Sequence, residues 1–408
     1  MPDNVAMGVL MRAAEILERV LAIEVGAARI EGALMADPDL GRVWRAQAAL
    51  TEACRSVGME DIAVQEGDLA TRPLRVDPDE GETARGVWLA GEALRVLLSP
   101  GDLLADPDRV VRRCLRTGVR PDGSDEPVPD PDPDLVGRIL GAVQDAPGPL
   151  IGALRAGLAL RTATMSASPS AERLLFICAD HAVRGGRAGR EMTDPLPEGL
   201  GLTAGPGEPR WVLLPATALT TGGFRVWSPG SPSGLASLLD GMRDEVGRGL
   251  GALPTLRRWR DLALAAGSGR TERSRMRDLV RLLMSRPIVT GQIVAEGLGV
   301  TPRAALNLIG EAASGGLLEE LTRRRSYRAW AVTPVASRIR NRTVARGMRG
   351  RPGRDPVGQT TGAGAYEPDP DEARMPVVRD RSGEEAALAE LDAALAAADR
   401  VLDRYKPR

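Results

Sequence analysis

Four residues near position 300 have the types and spacing needed to read DNA bases. They lie in the segment TPRAALN, which would begin a helix at its threonine. Arginine can bond guanine through two N–H groups, and asparagine can bond adenine in the same bidentate way. We therefore predict that the outward residues of this helix contact bases; these are Thr301, Arg303, Ala304 and Asn307.

A second basic group follows in SGGLLEELTRRRSYRAWAV. A glycine turn, a short apolar run, an arginine cluster and an aromatic strand predict a two-stranded wing, anchored by Tyr327 and Trp330. Arginines on a wing bind phosphates or enter the minor groove. The arginines that would make these contacts are Arg323, Arg324, Arg325 and Arg328.

Three short helices must position these side chains. The spacing predicts one helix that ends near Pro287 and a second that is capped by Thr290. Gly299 supplies the left-handed conformation of a tight turn, and Pro302 occupies the first position of a third helix. This is helix-turn-helix spacing, in which the second helix of the pair enters the major groove. Ala295 is predicted where the two helices cross, and the residues predicted on the buried face that follows are Val300, Ala305 and Leu308.

Charge is segregated along the chain. Residues 257–354 contain 21 arginines and seven acidic residues, whereas residues 1–256 contain 26 basic and 36 acidic ones. A basic module joined to acidic regions is typical of a protein that binds a polyanion. The expected partner is double-stranded DNA.

The composition argues against most catalytic chemistry. Cys54, Cys114 and Cys178 are far apart, so neither a zinc site nor a disulfide framework is indicated. His181 is the single histidine, and FICADHAVRGGRAGR lacks the acidic and Gly-Asn-Gly-Arg features of Fic nucleotidyl transferases. There is no Walker loop and no GxSxG elbow. We expect a protein that is not an enzyme and uses no metal or cofactor.

The sequence also bears on location. The N-terminal MPDNVAMGVLMRAAEILERVL carries an acidic residue where a signal peptide would be basic. The sequence contains no uninterrupted run of about 18 apolar residues, the length that a membrane-spanning helix needs. We expect a cytoplasmic protein without membrane contact.

Apolar spacing predicts a mainly α fold. A helical N-terminal body would contain a small mixed α/β segment, because ERLLFICADHAV, RWVLLPATAL and GGFRVWSP are short apolar runs that could be strands. A winged helix-turn-helix domain and a C-terminal helix would follow. The predicted divisions are a helical region at 1–120, an acidic Pro-rich linker or loop at 121–136, a mixed helical region at 137–256, the basic domain at 257–350, a disordered linker at 351–382 and an amphipathic helix at 383–406.

The predicted C-terminal helix has a short heptad seam. Packing onto the protein's own body explains the seam as well as dimerisation does, and we favour the former. The seam consists of Leu388, Leu391, Leu395, Ala398, Leu402 and Tyr405.

One region resembles a known family. The runs LVRLLMSRPIVTGQIVAEGLGVTPRAALNLIGE and LEELTRRRSYRAWAV closely resemble the C-terminal helix-turn-helix of a plasmid-associated alphaproteobacterial family of unknown function. Phrases such as "ARP", "VTPQAALNLV" and "YRAW" recur in that family. The resemblance is specific over about 275–332 and looser upstream, where the family's "LWLDGE" is not evident. It implies a DNA-binding module and names no target gene.

The prediction is a DNA-binding protein that acts as a homodimeric transcriptional regulator. One alternative is an interaction or scaffold protein whose winged helix binds a protein partner. Another is a degenerate enzyme with a DNA-binding tail.

Overall fold

The computed structural model describes residues 2–71, 82–117, 131–191, 209–268, 274–322 and 328–340. These residues are mainly helical, as predicted, and carry one small antiparallel sheet near the C-terminal end. The body is built from α1 (Pro2–Met35), α2 (Pro38–Gly58), α3 (Glu66–Thr71), α4 (Glu82–Leu98), α5 (Pro107–Leu115), α6 (Pro133–Gln144), α7 (Pro149–Ala163), α8 (Pro169–Glu191), α9 (Pro215–Thr220) and α10 (Pro232–Ser268).

The smaller C-terminal part contains the sheet. Its elements are α11 (Met276–Ser285), β1 (Ile288–Thr290), α12 (Gly291–Leu298), α13 (Pro302–Ser314), β2 (Leu318–Glu320), β3 (Ala329–Val332) and a helical segment at 333–340. The strand order is β1-β3-β2, and both pairings are antiparallel. Trp330 of β3 lies opposite both Val289 and Glu320.

Helix α8 corrects the prediction of short strands in 137–256. ERLLFICADHAV is helical within α8, RWVLLPATAL forms no strand before α9 begins at Pro215, and GGFRVWSP forms no strand. Residues 174–179 of α8 are all buried. A helix that is buried on every side shows no 3.6-residue period, so its sequence cannot be separated from that of a buried strand.

Some predicted divisions fall outside the described ranges. The arginine cluster at 323–327, the linker at 351–382 and the C-terminal helix at 383–406 all lie there. Helix α6 begins at Pro133, inside the range predicted as an acidic linker, and Asp132 caps it.

Buried polar groups join distant parts of the body. Glu52 of α2 is 1% exposed and accepts hydrogen bonds from the backbone N–H groups of Ala216 and Thr217, at 2.7 and 2.8 Å. The Thr217 hydroxyl donates a third, at 2.7 Å. These contacts fix the start of α9 against α2. Burial raises the pKa of the Glu52 carboxyl, and its donors partly oppose that rise.

Helix α10 connects the body with the C-terminal part. The indole N–H of Trp259 donates to the Leu317 carbonyl at 2.9 Å, so α10 is tied to the residue that precedes β2. The guanidinium of Arg338 bonds both carboxylate oxygens of Glu66, at 3.0 and 2.6 Å. It also bonds the Thr51 hydroxyl at 2.5 Å. The C-terminal part is therefore packed on α2 and α3 rather than tethered to them.

The three cysteines are buried and form no disulfide. Cys114 and Cys178 are distant in sequence, but the fold brings their Sγ atoms to 3.9 Å. Across the described ranges, no helix is both long and apolar enough to cross a bilayer.

Candidate nucleic-acid interface

Helices α12 and α13 begin at the predicted caps. The Thr290 hydroxyl accepts a hydrogen bond from the Ile293 N–H at 3.2 Å, and the Thr301 hydroxyl accepts one from the Ala304 N–H at 3.3 Å. Pro302 occupies the first turn of α13, where its missing N–H costs nothing. The start of the proposed recognition segment is thereby fixed.

The turn between the helices depends on Gly299. Its φ is +62°, in the left-handed region, and the Val300 N–H closes the turn on the Ala295 carbonyl at 3.0 Å. An L side chain at such a φ costs roughly 1–2 kcal/mol. The turn between α12 and α13 therefore depends on the left-handed conformation that was predicted for Gly299.

Replacing Gly299 by alanine should lower the free energy of unfolding by about 1–2 kcal/mol. Gly310 of α13 is a matched control because an added Cβ would meet nothing within 4 Å and its φ is not left-handed. Gly310→Ala should raise stability by about 0.5–1 kcal/mol, since glycine disfavours a helix interior. Urea unfolding of both variants measures the difference. Changes of the same sign would show that φ at Gly299 is unimportant.

The buried side of the pair largely matches the prediction. Ala295 and Ala305 are buried, while Val300 and Leu308 are half-buried and pack against the core. Ile309 occupies the fully buried position on α13 next to Leu308.

The outer side of α13 is open. Thr301, Arg303 and Asn307 are exposed, and Ala304 is half-buried. The structure therefore presents the predicted base-reading residues together on one helix. It adds Leu306, which is 48% exposed and lies against Gly291 of α12. The sequence could have indicated this exposure, because Leu306 follows Arg303 by three residues and residues three apart lie on the same side of a helix.

Many arginines of the basic region are already paired. Arg260 binds Asp37, Arg338 binds Glu66 and Arg340 binds Glu319. Arg275 and Arg281 share Asp278, at 2.9 and 3.4 Å. Within the described ranges, the arginines of this region that form no ion pair are Arg257, Arg258, Arg277, Arg286 and Arg303. Because carboxylates neutralise the paired arginines, the positive charge available to a ligand is smaller than the number of arginines suggests.

Arg328 lies on the β2–β3 hairpin and is engaged there. Its guanidinium bonds both carboxylate oxygens of Glu320, at 2.9 and 2.5 Å, and lies 4.9 Å from the centre of the Trp330 ring. These contacts lower the pKa of the Glu320 carboxyl, with the hydrogen bond from Arg328 as the main cause. Phosphate binding by Arg328 would have to compete with this carboxylate. The other predicted hairpin arginines, Arg323, Arg324 and Arg325, lie outside the described residues.

His181 is held by the backbone. Its Nδ1 accepts a hydrogen bond from the Arg210 N–H at 2.9 Å. Burial lowers its pKa to about 4; Arg210 and Arg45 add to that effect, and Asp180 opposes it. No cluster of three or more metal-ligating side chains occurs in the described part of the chain. These contacts favour a structural role for His181.

This lowered pKa makes stability depend on pH. In the unfolded chain, histidine takes up a proton below about pH 6.5, whereas the folded protein resists uptake until about pH 4. Stability should therefore fall by about 2 kcal/mol between pH 7 and pH 5 through this residue. His181→Gln should lack that component in urea unfolding at the two pH values. Identical pH dependence in both proteins would contradict the assignment.

Comparison with known proteins identifies the same region. Residues 276–333 match a family described as an HTH DNA binding domain. A 64-residue segment is 39% identical to a Sinorhizobium fredii protein named "Uncharacterized protein y4cF", and it covers 16% of each chain. The C-terminal helix-turn-helix that the resemblance implied is thus confirmed, while the plasmid association stays a prediction. The geometry and the family match together identify residues 276–333 as a helix-turn-helix DNA-binding domain.

Proposed function

We propose that this protein is a transcriptional regulator that binds specific duplex DNA by inserting α13 into the major groove. The observation that carries the proposal is the exposed pair Arg303 and Asn307 on a capped helix within a matched helix-turn-helix domain. The helix start adds to the case, since unpaired N–H groups at a helix N-terminus favour phosphate nearby.

Three side chains of α13 would divide the readout. The Arg303 guanidinium would bond the O6 and N7 acceptors of guanine, and the Asn307 amide would bond the N7 and N6 groups of adenine. Leu306 would contact a thymine methyl group, a role for which its 48% exposure suits it. Thr301 is already used as the helix cap, so it would contribute mainly by orienting α13.

The β2–β3 hairpin would serve as a wing beside the groove. Antiparallel pairing of β3 with both β1 and β2 supports this proposal because it attaches the hairpin to the helix pair. Arg323, Arg324 and Arg325 in its connecting segment would bind phosphates, as the sequence predicts. Arg328 would act through Glu320 and Trp330 to hold the hairpin base.

The protein would act as a homodimer on DNA. One helix-turn-helix reads few base pairs, and dimers of such proteins bind two half-sites about one helical turn apart. A DNase footprint tests this: a homodimer should protect two half-sites, whereas a monomer should protect one. We further propose that the protein carries no catalytic activity of its own, which fits the structural role of His181.

A salt titration tests DNA binding against the alternative of a protein partner. For a duplex selected from a random pool, the logarithm of affinity should fall linearly with the logarithm of salt, by about 0.9 per phosphate contact. Arg324→Ala should reduce that slope by about 0.9 and weaken all sequences alike. No measurable duplex binding, or an affinity insensitive to salt, would favour a protein partner.

A further inference from the structure

A cavity of about 450 Å³ between α4 and α5 has a lining made almost wholly of arginine. It lies in the body, outside the helix-turn-helix domain. One carboxylate and one apolar side chain complete the lining. The residues are Glu92, Arg95, Val96, Arg109, Arg112, Arg113 and Arg116.

The spacing of α5 explains this concentration of charge. In PDRVVRRCLR the arginines stand at positions 109, 112, 113 and 116, which is one face of a helix. The opposite face is apolar, and Val110, Val111 and Cys114 are buried. Helix α5 therefore packs by one side and presents guanidinium groups on the other.

Some of the cavity arginines are engaged in contacts within the protein. Arg95 binds Glu92, and Arg113 donates to the Arg95 carbonyl at 3.1 Å. Arg109 and Arg116 are exposed and form no ion pair with the described residues. Residues 1–256 as a whole carry more acidic than basic groups, so the positive charge of this cavity is opposite in sign to the net charge of the region around it.

We propose that the cavity binds a small ligand that carries two or more phosphate groups. The planar guanidinium group matches phosphate oxygens in bidentate geometry, and several converging groups suit a multiply charged anion. The volume falls within the range of small-molecule sites, about 300–1,000 Å³. Such a ligand would bind the body while α13 stays available, so the proposal does not depend on DNA binding.

The probes are inorganic triphosphate and ATP, titrated into the full-length protein by calorimetry at fixed salt, with adenosine as the uncharged comparison. Both anions should bind and adenosine should not. The double variant Arg109→Gln/Arg116→Gln should weaken binding roughly tenfold or more, because two charged contacts are lost. Both side chains are exposed, so circular dichroism should show an unchanged fold.

Two single variants separate this site from other basic surfaces. Arg138→Gln on α6 removes an exposed arginine outside the cavity and should leave triphosphate affinity unchanged. Arg29→Gln removes an exposed arginine of α1 and should also leave it unchanged. Equal weakening by these variants would mean general charge attraction and would overturn the proposal.

A further test asks whether the acidic residues after α5 neutralise the cavity arginines. Residues 118–130 include Asp122, Asp125, Glu126 and Asp130. A variant with these four changed to Asn or Gln tests that possibility. Triphosphate binding in the wild type supports the proposal. No binding in the wild type overturns it, and binding that arises only in the neutralised variant would assign the arginines to this segment instead.

Discussion

Replacing Arg303 by alanine should weaken binding to the selected duplex by about 1–3 kcal/mol, roughly 5- to 150-fold. The loss on random duplex should be smaller, because a bidentate contact to guanine discriminates among bases. Arg303 is exposed and forms no ion pair within the described residues, so its removal should leave the fold intact. Fluorescence anisotropy with both duplexes measures the two affinities.

Arg138→Ala serves as the control for Arg303→Ala. It removes one exposed arginine of the body and should change neither affinity. If Arg303→Ala weakened random and selected duplex equally, its contact would be to phosphate rather than to a base. If it changed neither, α13 would not be the helix that enters the groove.

Replacing Glu52 by alanine should lower the free energy of unfolding by about 3 kcal/mol or more. The substitution leaves two backbone N–H groups and one hydroxyl buried without their acceptor, and each such loss costs roughly 1–3 kcal/mol. The gain from no longer burying a carboxylate offsets part of this cost. Urea unfolding followed by circular dichroism measures the change.

Glu52→Gln offers a sharper comparison. A glutamine oxygen can replace the acceptor for Thr217, but its NH₂ group would then face the Ala216 N–H, so two donors would meet. We expect about half the loss seen with alanine. The control is Glu15→Ala, a 61% exposed side chain in a surface pair with Arg19, which should change stability by less than about 0.5 kcal/mol. A Glu52→Gln variant as stable as wild type would show that the Ala216 contact is dispensable.

The sequence predicted the features that depend on nearby residues. Thr290, Gly299 and Thr301 act over three or four positions, so their roles as caps and turn could be derived from chemistry alone. The exposed positions of Arg303 and Asn307 followed from the same helix start. Leu306 was missed because an apolar residue on a short helix is normally assigned to the core.

Features that depend on distant residues could not be derived in this way. Arg338 and Glu66 are separated by 272 positions, and nothing in the local sequence pairs them. The basic surface was overestimated for this reason, since several arginines neutralise carboxylates elsewhere in the fold. Helix α8 was ambiguous because it is enclosed on all sides and loses the periodicity that identifies helices.

The contact between α10 and the residue before β2 decides where the DNA-binding domain can be cut from the chain. Trp259 and Leu256 are buried, and the Trp259 indole donates to the Leu317 carbonyl. A truncation that begins at residue 274 would remove this donor and the part of α10 that contacts α11. Such a fragment would expose apolar surface and aggregate on expression. The N-terminal half of α10 packs on α1 and α9, so an excised domain should keep only the C-terminal half of this helix, from about Leu253 onward.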